Sequence, residues 1–447
     1  MFHSINAYTG ETLCRRPAQG YAEFAQELAA LKVRQQAFAR LGVIGRTALL
    51  QAFAERLAQN KERLAEMVCE EVGRCLHECR AELDKSVELI RYYVRLALEL
   101  LAHKTIATQA SLSQVRFEPL GVVLAVMPWN YPVWQVLRFA IPALCAGNAC
   151  AVKPAPSVAR VSAALLELVS DDLPLIGAWL DNDDTLKAIE DTDAMAFTGS
   201  TRTGRLLAAH AGMHLKKNVL ELGGSNPFIV MPDADLERAA VEACYSRFRD
   251  AGQSCNAAKR VVVTEAIADR FIPLFLAECA KLQTGNPKDP ATTLAPLHRE
   301  DLRANVHAQV QDAVAHGAEV LTGGFIPEGK GWFYPATVLD KVNPDCRVWN
   351  EEVFGPVAMI LRAKDEEHAV ALANDTPYGL GASIYTADTR RAWAFAEKIQ
   401  AGSVFINRHT SSDLRLPFGG VKASGYGREL SEFGLYEFVN VKTYWQK

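Results

Sequence analysis

GVVLAVMPWNYPVWQVLRFAIPALCAGNACAVK, Gly121 to Lys153, decides how this chain folds. Gly121 to Met127 is an apolar run of strand length, and Pro128, Asn130 and Pro132 end it long before it could span a membrane. Trp134 to Ala146 then reads as a helix, and Ala149 to Lys153 as a second buried strand. The alternation continues with a helix over Val158 to Val169, a strand over Ala194 to Thr198, a helix over Thr203 to Ala211 and a strand over Asn218 to Glu221. Short apolar strands separated by helices need crossover connections, which produce a parallel, doubly wound sheet. The fold class is α/β.

Beyond Gly223 the pattern restarts. Pro227 to Val230, Arg260 to Thr264, Glu319 to Thr322, Val357 to Arg362, Ala382 to Tyr385 and Ser403 to Ile406 read as strands. Helices over Leu236 to Phe248, Ala266 to Lys281, His298 to Ala315, Glu366 to Asn374 and Thr389 to Lys398 lie between them, giving a second α/β unit. Upstream, Tyr21 to about Leu101 repeats apolar residues three and four apart, as in Leu49, Leu50, Phe53 and Leu57, the signature of amphipathic helices. Thr105 to Glu118 alternates polar and apolar residues like an exposed ribbon, and no strand or helix is assigned to the short segment Ser170 to Asp184.

With 447 residues, 49% of them hydrophobic and 22% charged, the chain can bury a large core without metal or disulfide staples. A net charge of −4 offers no electrostatic footprint for nucleic acid, and no segment reads as a membrane anchor. The start, Met1 to Gly10, lacks a basic stretch leading into an apolar one, so little N-terminal extension and no secretion signal is expected. Ten cysteines scattered along such a chain fit a reducing compartment, and the expected location is the cytoplasm.

Among the candidate reactive groups, Cys255 sits in Gly252-Gln253-Ser254-Cys255-Asn256 between a helix and a strand, flanked by small polar residues. A thiolate there would be a strong nucleophile, although a lone cysteine equally suits a small buried apolar site. Glu221 ends a strand before Leu222-Gly223-Gly224, where a partly apolar cleft would raise its pKa and make it a general base toward water. Asn130 follows the first strand, and its amide could donate to an oxyanion or simply serve the turn between two prolines. Phe197-Thr198-Gly199-Ser200 leads a strand through a glycine turn into a helix whose first amides attract phosphate. Cys75-Leu76-His77-Glu78-Cys79 puts possible ligands on one helix face but lacks a second pair, so no metal is expected.

Taken together, these segments resemble the aldehyde dehydrogenase superfamily over nearly the whole chain. Pro128-Trp129-Asn130, Phe197-Thr198-Gly199-Ser200, Glu221-Leu222-Gly223-Gly224, Gly252-Gln253-Ser254-Cys255, Glu351-Glu352-Val353-Phe354-Gly355-Pro356 and Pro417-Phe418-Gly419-Gly420 occur in that family's order. The resemblance implies an aldehyde dehydrogenase fold: a Rossmann-like cofactor domain (1–104 and 120–223), an α/β catalytic domain (224–430) and a small β oligomerisation arm (105–119 and 431–447). It implies Cys255 as nucleophile, Asn130 as oxyanion donor and Glu221 as the base that hydrolyses a thioester. Cofactor contacts are implied for Trp129, Lys153, Pro156, Gly199, Ser200, Gly204, Leu222, Glu352 and Phe354.

One departure bears on the cofactor. The family often places a glutamate three positions after the Lys153 equivalent, where its charge would repel a 2′-phosphate; here that position is Pro156, with Ser157 beside it. The cofactor is therefore expected to be NAD or NADP. Arg138, Arg249 and Ser412 match the trio that holds the distal carboxylate in succinate-semialdehyde dehydrogenases, a task suited to guanidinium forks. The chain looks like the short bacterial branch of those enzymes, and the expected partners are a small aldehyde and further copies of the chain in a homodimer or homotetramer. A broad-range aldehyde dehydrogenase acting on aliphatic, aromatic or glutarate-semialdehyde-like substrates and a non-catalytic scaffold are the alternatives.

Overall fold

The computed structural model describes all 447 residues. Its first sheet has the order Gly425–Tyr426, Lys217–Glu221, Ala194–Thr198, Val122–Val126, Ala149–Lys153, Leu175–Gly177. All neighbours are parallel except Gly425–Tyr426, which runs antiparallel to Lys217–Glu221. Chain order leaves Val122–Val126 in one direction toward residue 177 and in the other toward residue 221. The strand order therefore reverses beside Val122–Val126, and in such sheets the crevice beyond the carboxyl ends at the reversal is where ligands bind. Every residue of Val122–Val126 and Ala149–Lys153 is buried, because helices cover both faces.

The second sheet has seven strands, with Asn226–Val230, Ala258–Thr264 and Val357–Ala363 at its centre. Only Glu319–Thr322 against Thr337–Asp340 is antiparallel. Glu221 closes a strand of the first sheet and Asn226 opens one of the second, so the carboxyl end of one sheet faces the amino end of the other across Leu222–Ser225.

A third sheet pairs Val439–Gln446 with Leu112–Pro119 along eight residues each, from Val439 opposite Pro119 to Gln446 opposite Leu112, with Lys104–Thr105 on the far side. This narrows the arm expected over 431–447: Ser431–Tyr436 is a helix whose Leu435 joins the core of the first sheet, because the apolar side of this short helix is buried there. Gly425–Tyr426, expected with the second unit, extends the first sheet instead.

Other differences trace to short elements. Phe2–Ile5 and Thr12–Arg16 form an antiparallel hairpin ahead of the first helix. Leu175–Gly177 and the helix Asn182–Asp191 occupy a stretch whose apolar pattern marks no element; the helix is announced by Asp181, whose side chain accepts from the Asp184 amide, and by two aspartates in the first turn. The helix expected from Val158 begins as a 3₁₀ turn with Pro156 in first place and runs from Ala159 to Leu166. No helix is long and apolar enough to cross a membrane.

Candidate active site

Three segments converge where the two sheets meet. Asn130 lies just past Val122–Val126, Glu221 ends its strand, and Cys255 immediately precedes Ala258–Thr264. Approach to Cys255 is made by an unusual turn: Asp250, Ala251 and Gly252 all have positive φ, at 54°, 52° and 72°. Left-handed backbone is strained for the first two, and at Gly252 a β-carbon would lie 2.4 Å from the Gly355 carbonyl oxygen, so only glycine fits.

Buried charges hold that turn. Arg74 Nε donates to Asp250 Oδ1 at 2.6 Å, Arg74 Nη1 pairs with Glu82, and Tyr131 donates its hydroxyl to Asp250. Glu78 Oε1 accepts the Asp250 amide at 2.7 Å, and Glu82 Oε1 accepts the Val133 and Trp134 amides at 3.0 and 2.9 Å. The helix Leu76–Leu100 thereby fixes both the turn before Cys255 and the start of the helix after Asn130. Within Cys75-Leu76-His77-Glu78-Cys79, the Cys75 and Cys79 thiols are buried and Glu78 faces the turn.

Cys255 is half-buried. Burial raises its thiol to a pKa of about 11, against which the positive charges of Lys259 and Arg138 pull downward. Lys259 is fully enclosed, and its Nζ donates at 2.9 Å to each of the Ser254 carbonyl, the Cys255 carbonyl and Glu352 Oε1. Asn130 Nδ2 donates to the Gln253 carbonyl at 3.1 Å, leaving its second amide hydrogen free for the cleft. Glu221 is buried with neither carboxylate oxygen hydrogen-bonded. Desolvation, reinforced by Glu429, holds its carboxyl well above the usual range, while Arg138 and Arg428 oppose the shift.

On the cofactor side the structure offers a binding surface for an anionic dinucleotide. Ser200 caps the helix Thr201–Met213, accepting the Thr203 amide at 3.3 Å, and that helix N-terminus opens at the carboxyl edge of the first sheet. A β-carbon on Gly204 would stand 2.5 Å from Leu222, so the helix packs this closely to the strand exit only with glycine there. Thr198 Oγ1 is buried without a partner, and Lys153 is an almost fully buried cation whose pKa burial lowers. Glu352 Oε1 accepts the Gly224 amide at 3.1 Å. Trp129 stacks on His298 with ring centres 4.2 Å apart and meets Phe354 edge-on. Pro156 is exposed, and the Ser157 hydroxyl is 2.7 Å from His298 Nε2. The residues implied for the cofactor thus follow the carboxyl ends of strands of the first sheet or, as Glu352 and Phe354, touch residues that do, and their chemistry fits a nicotinamide dinucleotide.

A cavity of about 280 Å³ opens beside Cys255 and holds Arg138, Arg249 and Ser412. Arg138 forms a buried ion pair with Glu429 and lies over the Phe418 ring, its Nη2 unpaired. Arg249 Nη2 donates to Asn256 Oδ1 at 3.3 Å and its Nε is unpaired. Gln135 Oε1 and Ser411 Oγ face the same cavity without partners. Buried polar atoms are ordinarily satisfied, so a cluster of open donors and acceptors marks room for a polar ligand.

Sequence reading missed Arg74, Glu82, Asp250 and Tyr131, which no motif connects, and Lys259, which only its spacing after Cys255 could have suggested. It also missed Lys85, whose Nζ donates to the Ser412 carbonyl at 2.9 Å and to the Ser412 hydroxyl. Away from the cleft, Glu190, His210 and His214 bring possible metal-ligand atoms within 4.8 Å of one another at the surface, where a contact of 3.1 Å between His210 and Glu190 accounts for the grouping.

Comparison with known proteins extends over the whole chain. Residues 1–444 match the model of the aldehyde dehydrogenase family. The NAD(P)+ succinate semialdehyde dehydrogenase Sad of Escherichia coli is 42% identical over 451 residues, covering 99% of this chain and 97% of that protein. The NADP+ succinate-semialdehyde dehydrogenase of Deinococcus radiodurans is 40% identical over 450 residues, at 99% and 94% coverage. Among solved structures, succinic semialdehyde dehydrogenase from Streptococcus pyogenes in complex with NADP+ superposes with a TM-score of 0.97 at 33% identity, covering 100% of this chain and 99% of the other.

Proposed function

The chain belongs to the aldehyde dehydrogenase family and is an NAD(P)-dependent oxidoreductase, and from that premise we propose that it oxidises succinate semialdehyde to succinate through a covalent intermediate on Cys255. The observation that carries the substrate is the cavity beside the thiol, where Arg138 and Arg249 offer open donors to a carboxylate and Ser412 lines the same space. Having given up its proton to solvent, Cys255 Sγ attacks the aldehyde carbon as the thiolate, and Asn130 Nδ2 with the Cys255 amide donates to the resulting oxyanion. A nicotinamide, which Glu352 and Phe354 would hold, would supply the hydride acceptor for oxidation of the Cys255 adduct to a thioester. Glu221 then takes a proton from water, whose oxygen attacks the thioester carbon; the C–S bond breaks, the acid leaves and Cys255 is restored. Glu221 suits that role because its carboxyl is enclosed, unpaired and of raised pKa.

Lys153, Ser200 and the Thr201–Met213 helix N-terminus would hold the adenosine ribose and pyrophosphate, with Trp129, Gly199, Leu222, Glu352 and Phe354 toward the nicotinamide end. With Pro156 in place of an acid, nothing at that position repels a 2′-phosphate, which supports use of both NAD and NADP. Specificity constants for succinate semialdehyde, butanal and benzaldehyde with each cofactor test the proposal. Succinate semialdehyde is expected to be preferred by about tenfold or more, the scale of one charge-assisted contact. Equal constants select the broad-range reading, in which Arg138 serves Glu429 alone.

The three-stranded sheet leaves Val441 and Trp445 more than half exposed and carries a free strand edge, which supports pairing with a further copy. We assign a homodimer or a tetramer of dimers on that ground; a monomer in sedimentation equilibrium would overturn it. The proposed compartment is the cytoplasm, where the Cys255 thiol stays reduced.

A further inference from the structure

Lys85 belongs to the helix Leu76–Leu100 and reaches the cavity beside Cys255 with its ammonium half-buried. Its Nζ spans the Ser412 carbonyl and hydroxyl and lies 4.5 Å from the centre of the Trp134 ring. The cations around this cavity fall into two kinds. Arg74 is matched by Glu82 and Asp250, and Arg138 by Glu429. Lys85 and Arg249 have no carboxylate within ion-pair distance, and Asp413, next to Ser412, is itself engaged by Arg415 at 2.7 Å. Asp250 favours the charged form of Arg249 from beyond ion-pair distance, but two cations that no ion pair matches still repel each other and lose hydration, a cost that an incoming carboxylate would offset.

We propose that Lys85 is a specificity-determining residue that contacts the distal carboxylate of the substrate, supplying with Arg249 the positive charge of the cavity that no ion pair matches and presenting the Ser412 hydroxyl between them. This rests on the reading of the substrate as a carboxylate-bearing aldehyde and adds to it a residue from a different helix. The trio of Arg138, Arg249 and Ser412 alone would leave Arg249 as the only cation without an ion pair; Lys85 makes the end of the cavity positive enough to draw in an anion.

A pH dependence follows. Burial, with the positive charges of Arg138 and Arg249, lowers Lys85 to a pKa of about 8, against the pull of Asp413 and of Glu88 on its own helix. Glu78, at the same cavity with His77 and Glu82, is raised to about 8 by burial and by Asp250. Above that pH Lys85 loses a positive charge and Glu78 gains a negative one, so both changes weaken carboxylate binding. Ionisation of Cys255 affects every aldehyde alike and cancels in a ratio of specificity constants.

The measurement is therefore the ratio of kcat/KM for succinate semialdehyde to that for butanal, in the holoenzyme, between about pH 6.5 and 9.5. In the wild type the ratio should fall through about pH 8. Lys85→Met should lower it about tenfold at neutral pH, through KM, whereas Lys85→Arg should recover most of the loss and flatten the alkaline decline. A wild-type ratio near one overturns the carboxylate reading itself. A high wild-type ratio that Lys85→Met leaves intact overturns the role of Lys85 alone, as does equal loss toward both aldehydes, the mark of a residue that merely tethers the Ser412 loop. Should Lys85→Met not fold, a wild-type ratio that stays flat across the pH range, or a decline of equal size in Lys85→Arg, overturns it.

Discussion

At the Asp250–Gly252 turn the acceptor sites are filled: Arg74 lies between Glu82 and Asp250, and the remaining oxygens of these acids and of Glu78 take the Tyr131 hydroxyl and backbone amides. A few residues on, around Cys255, the arrangement is reversed. Neither oxygen of Glu221 has a partner, Arg138 Nη2 and Arg249 Nε are unpaired, and Lys85 has no carboxylate. The two regions touch, and Glu221 and Arg138 are as deeply buried as Arg74 and Asp250, although Cys255, Lys85 and Arg249 are only half-buried, so burial alone does not distinguish them. What separates them is whether the protein itself completes the hydrogen bonds. Satisfied networks rigidify, whereas open ones are completed by substrate, cofactor and water.

That contrast can be broken from either side, and the largest effect is expected on the open side. Glu221→Gln should leave a single-turnover burst of reduced cofactor while lowering steady-state oxidation by about 10²–10⁴-fold, the usual contribution of a general base. A steady state unchanged relative to wild type would remove Glu221 from the hydrolytic step. Stability should move the other way. The folded-state carboxyl is held above its unfolded value, so its favourable contribution is complete below about pH 4.3 and declines as pH rises toward the folded pKa. Denaturation midpoints of Glu221→Gln should exceed wild type by more at pH 8 than at pH 4.

On the closed side, Arg74→Met strands Asp250 and Glu82 as buried, unmatched acids. A loss of about 3–5 kcal/mol in urea denaturation is expected, the range for breaking a buried pair from one end. Because the strained Asp250 and Ala251 backbone is held by the same contacts, Cys255 alkylation by iodoacetamide should become faster per thiolate as the turn loosens. A variant as stable as wild type would show that the network is dispensable and that the turn holds itself.

Much of the fold was legible along the chain. Val122–Val126, Ala149–Lys153 and Ala194–Thr198 are buried on both faces, so they read as largely apolar runs of strand length, and helices between them forced a parallel sheet. Asn130, Glu221 and Cys255 were visible because each stands in a local motif at a strand end. Leu175–Gly177 and the hairpin Phe2–Ile5 with Thr12–Arg16 were not, being too short for a period to register. Ser431–Tyr436 was assigned to the arm because its distance from Val439 along the chain is small, while its packing partner lies far away in sequence.

The sequence by itself determined the strand and helix alternation and offered the candidate reactive groups, because periodicity, turn chemistry and motif spacing are local properties that survive in one dimension; resemblance to a family supplied Arg138, Arg249 and Ser412. Only the tertiary structure decided which charges are matched. Arg138 meets Glu429 across most of the chain's length, Arg74 meets Asp250 from another unit, and Lys85 reaches Ser412 yet finds no acid. Electrostatic pairing depends on distances of a few ångströms between residues hundreds of positions apart, and no local pattern encodes that separation.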